Sequence, residues 1–132
     1  MAIDIDKFVK HLRDHALTNG RGNGQCGHYV GDALEAGGAH FNEYRRPYYG
    51  KLYGLTLERL GFHEITVDDP DHFNFMRGDV MVMQPHRSGN QAGHVAGYDG
   101  QHWISDFFQR DFWAGPAYRN QRPRPSYAVY RY

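Results

Sequence analysis

Apolar residues recur at helical spacing at the start of the chain: Ile5, Phe8, Val9, Leu12, Ala16 and Leu17, with Lys7, Arg13 and Asp14 between them. This pattern predicts an amphipathic helix over 3–17. The Gly/Asn run Asn19-Gly20-Arg21-Gly22-Asn23-Gly24 interrupts it. A second helix is predicted from Cys26 to Glu35, with Tyr29, Val30, Ala33 and Leu34 turned inward and Gly37-Gly38 at its end. Residues 39–50 read as a loop carrying aromatics and Pro47, and a third helical segment covers 50–60 through Leu52, Leu55, Leu57 and Leu60. The pattern then turns strand-like at Phe62–Val67, Asp79–Met83, Gly93–Tyr98, His102–Phe108 and Ser126–Tyr132. Two of these runs flank Asp99-Gly100-Gln101, a strong hairpin signal. Helices first and a mostly antiparallel sheet afterwards predict the α+β class. With no repeat and no linker, residues 1–132 are expected to form one domain.

Composition narrows the function. The 132 residues are 40% hydrophobic, enough for one sizeable core, and 15 basic residues balance 15 acidic ones. Neutrality argues against a nucleic-acid-binding protein. The C-terminal Arg119, Arg122, Arg124 and Arg131 read as a solvated face rather than a phosphate-binding stripe. The first residues contain no apolar core of a secretory signal, and no long apolar run would span a membrane. The expectation is a chain made in the cytoplasm and monomeric. A single cysteine allows no internal disulfide.

That cysteine carries the chemistry. Cys26 sits where a flexible loop becomes a helix, and the unpaired amides and partial positive charge of a helix start favour a thiolate. The same amides can hold an oxyanion, with Gln25 as a supporting group. Gly93-His94-Val95-Ala96 opens a distant strand, so His94 is the candidate base that takes the thiol proton and returns it to a leaving amine. A third group should orient the imidazole. A three-residue hairpin turn would set His94 opposite Asp106, and a two-residue turn would set it opposite Ser105. Asp106 is chemically the better partner, because a carboxylate accepts the ring N–H and stabilises imidazolium.

Other residues complete the picture. Tyr29, His102 and Trp103 are candidate substrate-binding residues. Trp103, Phe107, Phe108, Phe112 and Trp113 are chiefly core by alternation. Tyr44, Tyr48, Tyr49 and Tyr53 near Arg45 and Arg46 suggest a cleft wall, with guanidinium groups suited to carboxylates. No pair of His or Cys has zinc-finger or His-Glu-x-x-His spacing, so no metal and no cofactor is expected.

The stretch Gly24, Gln25, Cys26, Tyr29 and Val30, followed in order by Gly78-Asp79-Val80 and Gly93-His94-Val95-Ala96, resembles the CHAP family of cysteine, histidine-dependent amidohydrolases/peptidases. The resemblance covers about residues 20–110, and departs where His28 stands in place of the family's frequent aromatic. It implies a papain-like (NlpC-type) fold, N-terminal helices on an antiparallel sheet, and cleavage of an amide in the peptide part of peptidoglycan. It implies Cys26 as nucleophile, His94 as base and an acidic residue or Asn as the third group. A free-standing lytic domain of this kind is also similar to amidase effectors that type VI secretion delivers into a neighbour's periplasm. Such an effector would have a cognate immunity protein. A phage lysin of the same chemistry, a non-catalytic papain-like binding module and a cytosolic acyl-transfer enzyme are the alternatives.

Overall fold

A computed structural model describes residues 2–41, 45–87 and 89–132. The first helix, α1 (Ile5–His15), begins where the Asp4 carboxylate accepts a hydrogen bond from the Lys7 amide at 3.1 Å, and it buries Phe8, Val9 and Leu12. It is shorter at both ends than its hydrophobic pattern suggests. Ala16 is already extended, and the Leu17 amide donates to the Asp106 carbonyl at 2.8 Å. Helix α2 (Cys26–Ala36) packs on α1 and buries Val30, Ala33 and Leu34. A 3-10 turn at Gly50–Leu52 leads into α3 (Tyr53–Arg59).

The sheet has five strands: β1 (His63–Ile65), β2 (Val80–Met83), β3 (His94–Tyr98), β4 (Trp103–Ile104) and β5 (Tyr127–Arg131). Their order is β1-β5-β2-β3-β4, and each pairing is antiparallel. The last strand thus inserts between the first two. This is the α+β architecture expected from the sequence. A short helix, α4 (Pro116–Asn120), was not anticipated, although Pro116 in the first turn after Gly115 is a helix-start signal.

Strand alternation sorts side chains onto two faces. Val80, Val82, Val95, Ile104 and Tyr130 face the helices and join Phe8, Leu12, Val30, Leu34 and Leu57 in one core. Met81, Met83, Ala96, Trp103 and Val129 face the other way, against Phe112 and Trp113. That second layer is built of loops held by edge-on and stacked rings, such as Phe75 against Phe112 with centroids 5.6 Å apart. Polar clamps fasten it. Arg119 grips Asp111 through two bonds of 2.8 and 2.9 Å, and Asp71 accepts from both the Trp113 indole and Arg124 at 2.9 Å.

The hairpin between β3 and β4 differs from both registers considered. Tyr98 pairs with Trp103, leaving four residues, 99–102, in the loop. The Asp99 carboxylate accepts from the amides of Gln101 (2.8 Å) and His102 (2.5 Å), which lengthens the turn. The predicted strand 102–108 shrinks to two residues. Beyond Ile104 the chain folds back on itself, with the Ser105 amide donating to Phe107 and the Gln109 amide to Trp103.

Candidate active site

Helix α2 packs on β3, which brings the first residue of the one beside the first residue of the other. Cys26 comes from the helical side of the sheet. His94 shares strand parity with Ala96, on the aromatic side. The two meet at the end of β3, with 8% and 7% of their surfaces exposed. The close approach demands glycine nearby: a Cβ on Gly50 would lie 2.6 Å from the His94 carbonyl carbon.

The thiol and the imidazole lie close enough for each to shift the other's titration. Burial alone would raise the Cys26 thiol. The charge of His94, a hydrogen bond from its ring and one from the Val95 amide outweigh that and hold the thiol below its ordinary value, against an opposing push from Asp106. Burial likewise works to neutralise His94. The negative charge of Cys26, hydrogen bonds to Cys26 and Gln109, and the charge of Asp106 leave the imidazole above its ordinary value. Both shifts favour a thiolate–imidazolium pair.

The His94 Nε2 lies 2.6 Å from the Gln109 Oε1, both side chains buried. The Gln109 amide nitrogen donates to the Asp111 carbonyl at 3.1 Å, which fixes its oxygen toward the ring. The Nε2 is therefore the N–H donor, which leaves Nδ1 as the ring nitrogen available to the thiol.

Asp106 has a different task. Its Oδ2 accepts from the amides of Asn23 (2.7 Å) and Gly24 (3.0 Å), and so anchors the loop that leads into Cys26. Gly22 lies so close that any Cβ there would collide with the Asp106 carboxylate. From the other side, the Tyr53 hydroxyl donates to the Gly27 carbonyl at 2.6 Å. The first helical hydrogen bond of α2 runs from the Tyr29 amide to Gln25, so the amides of Cys26 and Gly27 lie ahead of it, without helical partners.

Two cavities meet at the thiol. One, of about 470 Å³, is lined by Gly22, His94, Phe107, Arg110, Trp113 and Tyr118 among others. The other, of about 520 Å³, is lined by Gln25, His28, Arg45, Arg46, Tyr48 and Tyr49 among others. Cys26, Gly24, Asn90 and Ala92 border both. The result is a two-armed cleft with Cys26 at its middle. Tyr118 walls the first arm 6.2 Å from the His94 ring, and burial and the Cys26 charge push its phenol up to about 12, so it stays protonated.

Over 98% of its length, this chain matches the effector in the crystal structure of the native type VI effector–immunity complex Tae3–Tai3 from Ralstonia pickettii. The identity is 38%, the TM-score 0.80, and 98% of that chain is covered. The chain belongs to the Tae3 family of type VI effectors. The selenomethionine form of the same complex matches at 38% identity and a TM-score of 0.76, with 94% of this chain and 98% of that one covered. No family profile and no curated protein matches the sequence.

Against this Tae3-family fold, the residues singled out in the sequence separate into two groups. Cys26, His94 and Gln25 lie together at the cleft. The expected His94–Asp106 bond is replaced by His94–Gln109, because the longer hairpin turn and the fold-back after Ile104 carry Asp106 to the Cys26 loop instead. Ser105 is fully buried, and its hydroxyl has no hydrogen-bond partner among the described residues. Gln109 is not among the residues that the sequence singles out. Its one signal is a lone amide between aromatic runs, which is what a buried hydrogen-bonding group looks like.

The three substrate-binding candidates fall elsewhere. Tyr29 lines a separate groove with His11, His15 and Asp32, since its helical position turns it away from the cleft. His102 sits in the exposed hairpin loop, beyond the far end of β3 from His94. Trp103 is buried against Phe75, Tyr98 and Phe112. Of the proposed cleft wall, Tyr48 and Tyr49 line the second arm, Tyr53 is buried beneath it, and Tyr44 lies outside the described residues. Among the described residues, no group of three or more His, Cys, Asp or Glu is placed to hold a metal ion, and no helix is long and apolar enough to cross a membrane.

Proposed function

We propose that this chain is a peptidoglycan amidase or endopeptidase, an antibacterial effector that cleaves an amide in the peptide stem or cross-link through Cys26. The observation that carries the reading is Cys26 beside His94, with the His94 ring held by Gln109, at the centre of an open cleft. Membership of the Tae3 family supports delivery by type VI secretion, action in the periplasm of a target bacterium, and a cognate immunity protein. It favours an effector over a phage lysin. The CHAP-like motifs around Cys26 and His94 support the same chemistry.

In the proposed cycle, the Cys26 thiolate attacks the amide carbonyl carbon and the carbonyl electrons move onto oxygen. The unpartnered amides at the start of α2 receive that oxyanion, with the Gln25 side chain beside them. The tetrahedral species collapses, the C–N bond breaks, and the proton on His94 Nδ1 goes to the departing nitrogen. The acyl group is left as a thioester on Cys26. Neutral His94 then takes a proton from water, the hydroxide attacks the thioester, and thiolate and carboxylic acid separate. Gln109 holds the imidazole plane throughout and accepts from the N–H that both ring states retain.

Digestion of Gram-negative sacculi by the wild type and Cys26→Ala, read by mass spectrometry, tests the reading and names the bond. New amine and carboxyl ends are expected from the wild type alone. Identical products from both proteins, or none from either, would overturn it.

A further inference from the structure

The cleft is unevenly charged. Arg21 and Arg110 line the first arm and Arg45 the second, all three exposed, and among the described residues none of their guanidinium groups has a hydrogen bond, ion pair or ring contact. The other arginines are engaged: Arg13 with Asp99, Arg77 with Asp6, Arg124 with Asp71 and Arg131 with Asp79, for example. Arg46 and Arg119 also reach the cleft, but Asp32 and Glu35 occupy the first and Asp111 the second. Among the described residues, the carboxylate that borders the cleft, Asp106, is spent on the amides of Asn23 and Gly24. Among the described residues, the free cations of the arginine set therefore lie on both sides of the thiol, with no free anion beside them.

We propose that Arg21 and Arg110 in one arm and Arg45 in the other are the anion-binding groups of the cleft, taking peptide carboxylates on both sides of the bond that is cut. This rests on the hydrolase reading above and adds a substrate class to it: stems whose carboxyl groups are free, as against stems in which they are amidated. A guanidinium matches a carboxylate with two parallel N–H donors, whereas a carboxamide places an N–H against it. A lost charged hydrogen bond of this kind is worth about tenfold.

Two measurements test it. The first compares kcat/KM of the wild type, Arg21→Ala/Arg110→Ala and Arg45→Ala on the same stem peptides with free and with carboxamide groups. The wild type should prefer the free acids about tenfold or more, and each variant should lose most of that preference. The second needs no hydrolysis: the rate at which Cys26 is alkylated by iodoacetate, an anion, relative to neutral iodoacetamide. The ratio should fall several-fold in the arginine variants and in high salt, and stay put in Arg77→Ala, a remote cation. Equal rates on free and amidated stems, or a ratio that the cleft variants leave unchanged, would overturn the proposal. A wild type that cleaves neither peptide yet keeps the alkylation preference would sink the hydrolase reading and leave the anion site standing.

Discussion

The two faces of the sheet are built differently, and the site lies where they meet. On the helical face, packing is regular: α1 and α2 present apolar stripes to Val80, Val82 and Val95, and this side delivers Cys26. On the aromatic face, irregular chain is held by ring edges and Arg–Asp clamps, and this side delivers the partner of His94. Cys26 thus depends on a helix terminus and His94 on a loop packed by aromatic rings. The two halves of the proposed reactive pair should fail in different ways.

The largest expected effect breaks the seam itself. His94→Ala should lower hydrolysis by roughly a thousandfold or more, since it removes both the thiolate's counter-charge and the proton donor. It should also slow iodoacetamide labelling at neutral pH, as a labelling time course would show. Next comes the aromatic layer. Phe112 touches Phe75, Trp103, Trp113 and Tyr127, so Phe112→Ala should cost about 3–5 kcal/mol in urea unfolding. Gln109 should be lost from activity with it, even where the helical core survives.

Smaller effects separate the residues that serve the two sides. In the proposed cycle activity needs a thiolate and an imidazolium together, so it should rise as pH passes the lowered Cys26 value and fall as pH passes the raised His94 value. Gln109→Ala removes a hydrogen bond that raises His94. Its alkaline limb should move to lower pH while the acid limb stays, with kcat down roughly tenfold to a hundredfold and KM little changed. Asp106→Asn removes a charge that raises both groups, so both limbs should move to lower pH. The asparagine keeps an acceptor for the loop amides, so the loss at the optimum should be under about tenfold. A pH–rate profile of the two variants decides between these behaviours. If Asp106→Asn moved the alkaline limb alone, Asp106 would be acting on His94 and not on the Cys26 loop.

The same contrast explains what could be read in the sequence. Helical period and a glycine run located α1 and α2, and with them Cys26 at a helix start. The Gly-His-Val-Ala strand located His94. Those are local signals, and the helical face is locally determined. The aromatic face is not. Phe107 and Phe108 look like strand residues, yet the chain turns there because Asp106 is drawn to amides far earlier in the sequence. The hairpin was visible, but its loop length rests on one carboxylate taking two amides. Arg119, Arg124 and Arg131 read as a solvated basic run and are in fact clamps on Asp111, Asp71 and buried Asp79. Pairings between residues so far apart leave no periodicity to read.

The single cysteine has a consequence in redox chemistry. The thiolate, the form that the lowered Cys26 value favours, is what peroxides attack, and the first product is a sulfenic acid. Chains with a second thiol nearby can trap that species as a disulfide, from which a reductant recovers the enzyme. Here no second thiol exists. Once oxidised, Cys26 must be rescued by a small thiol small enough to enter the cleft, or it moves on to the irreversible sulfinic state. In an oxidising compartment the working life of each molecule would be set by that race, and an oxidant burst would disarm the chain one thiol at a time.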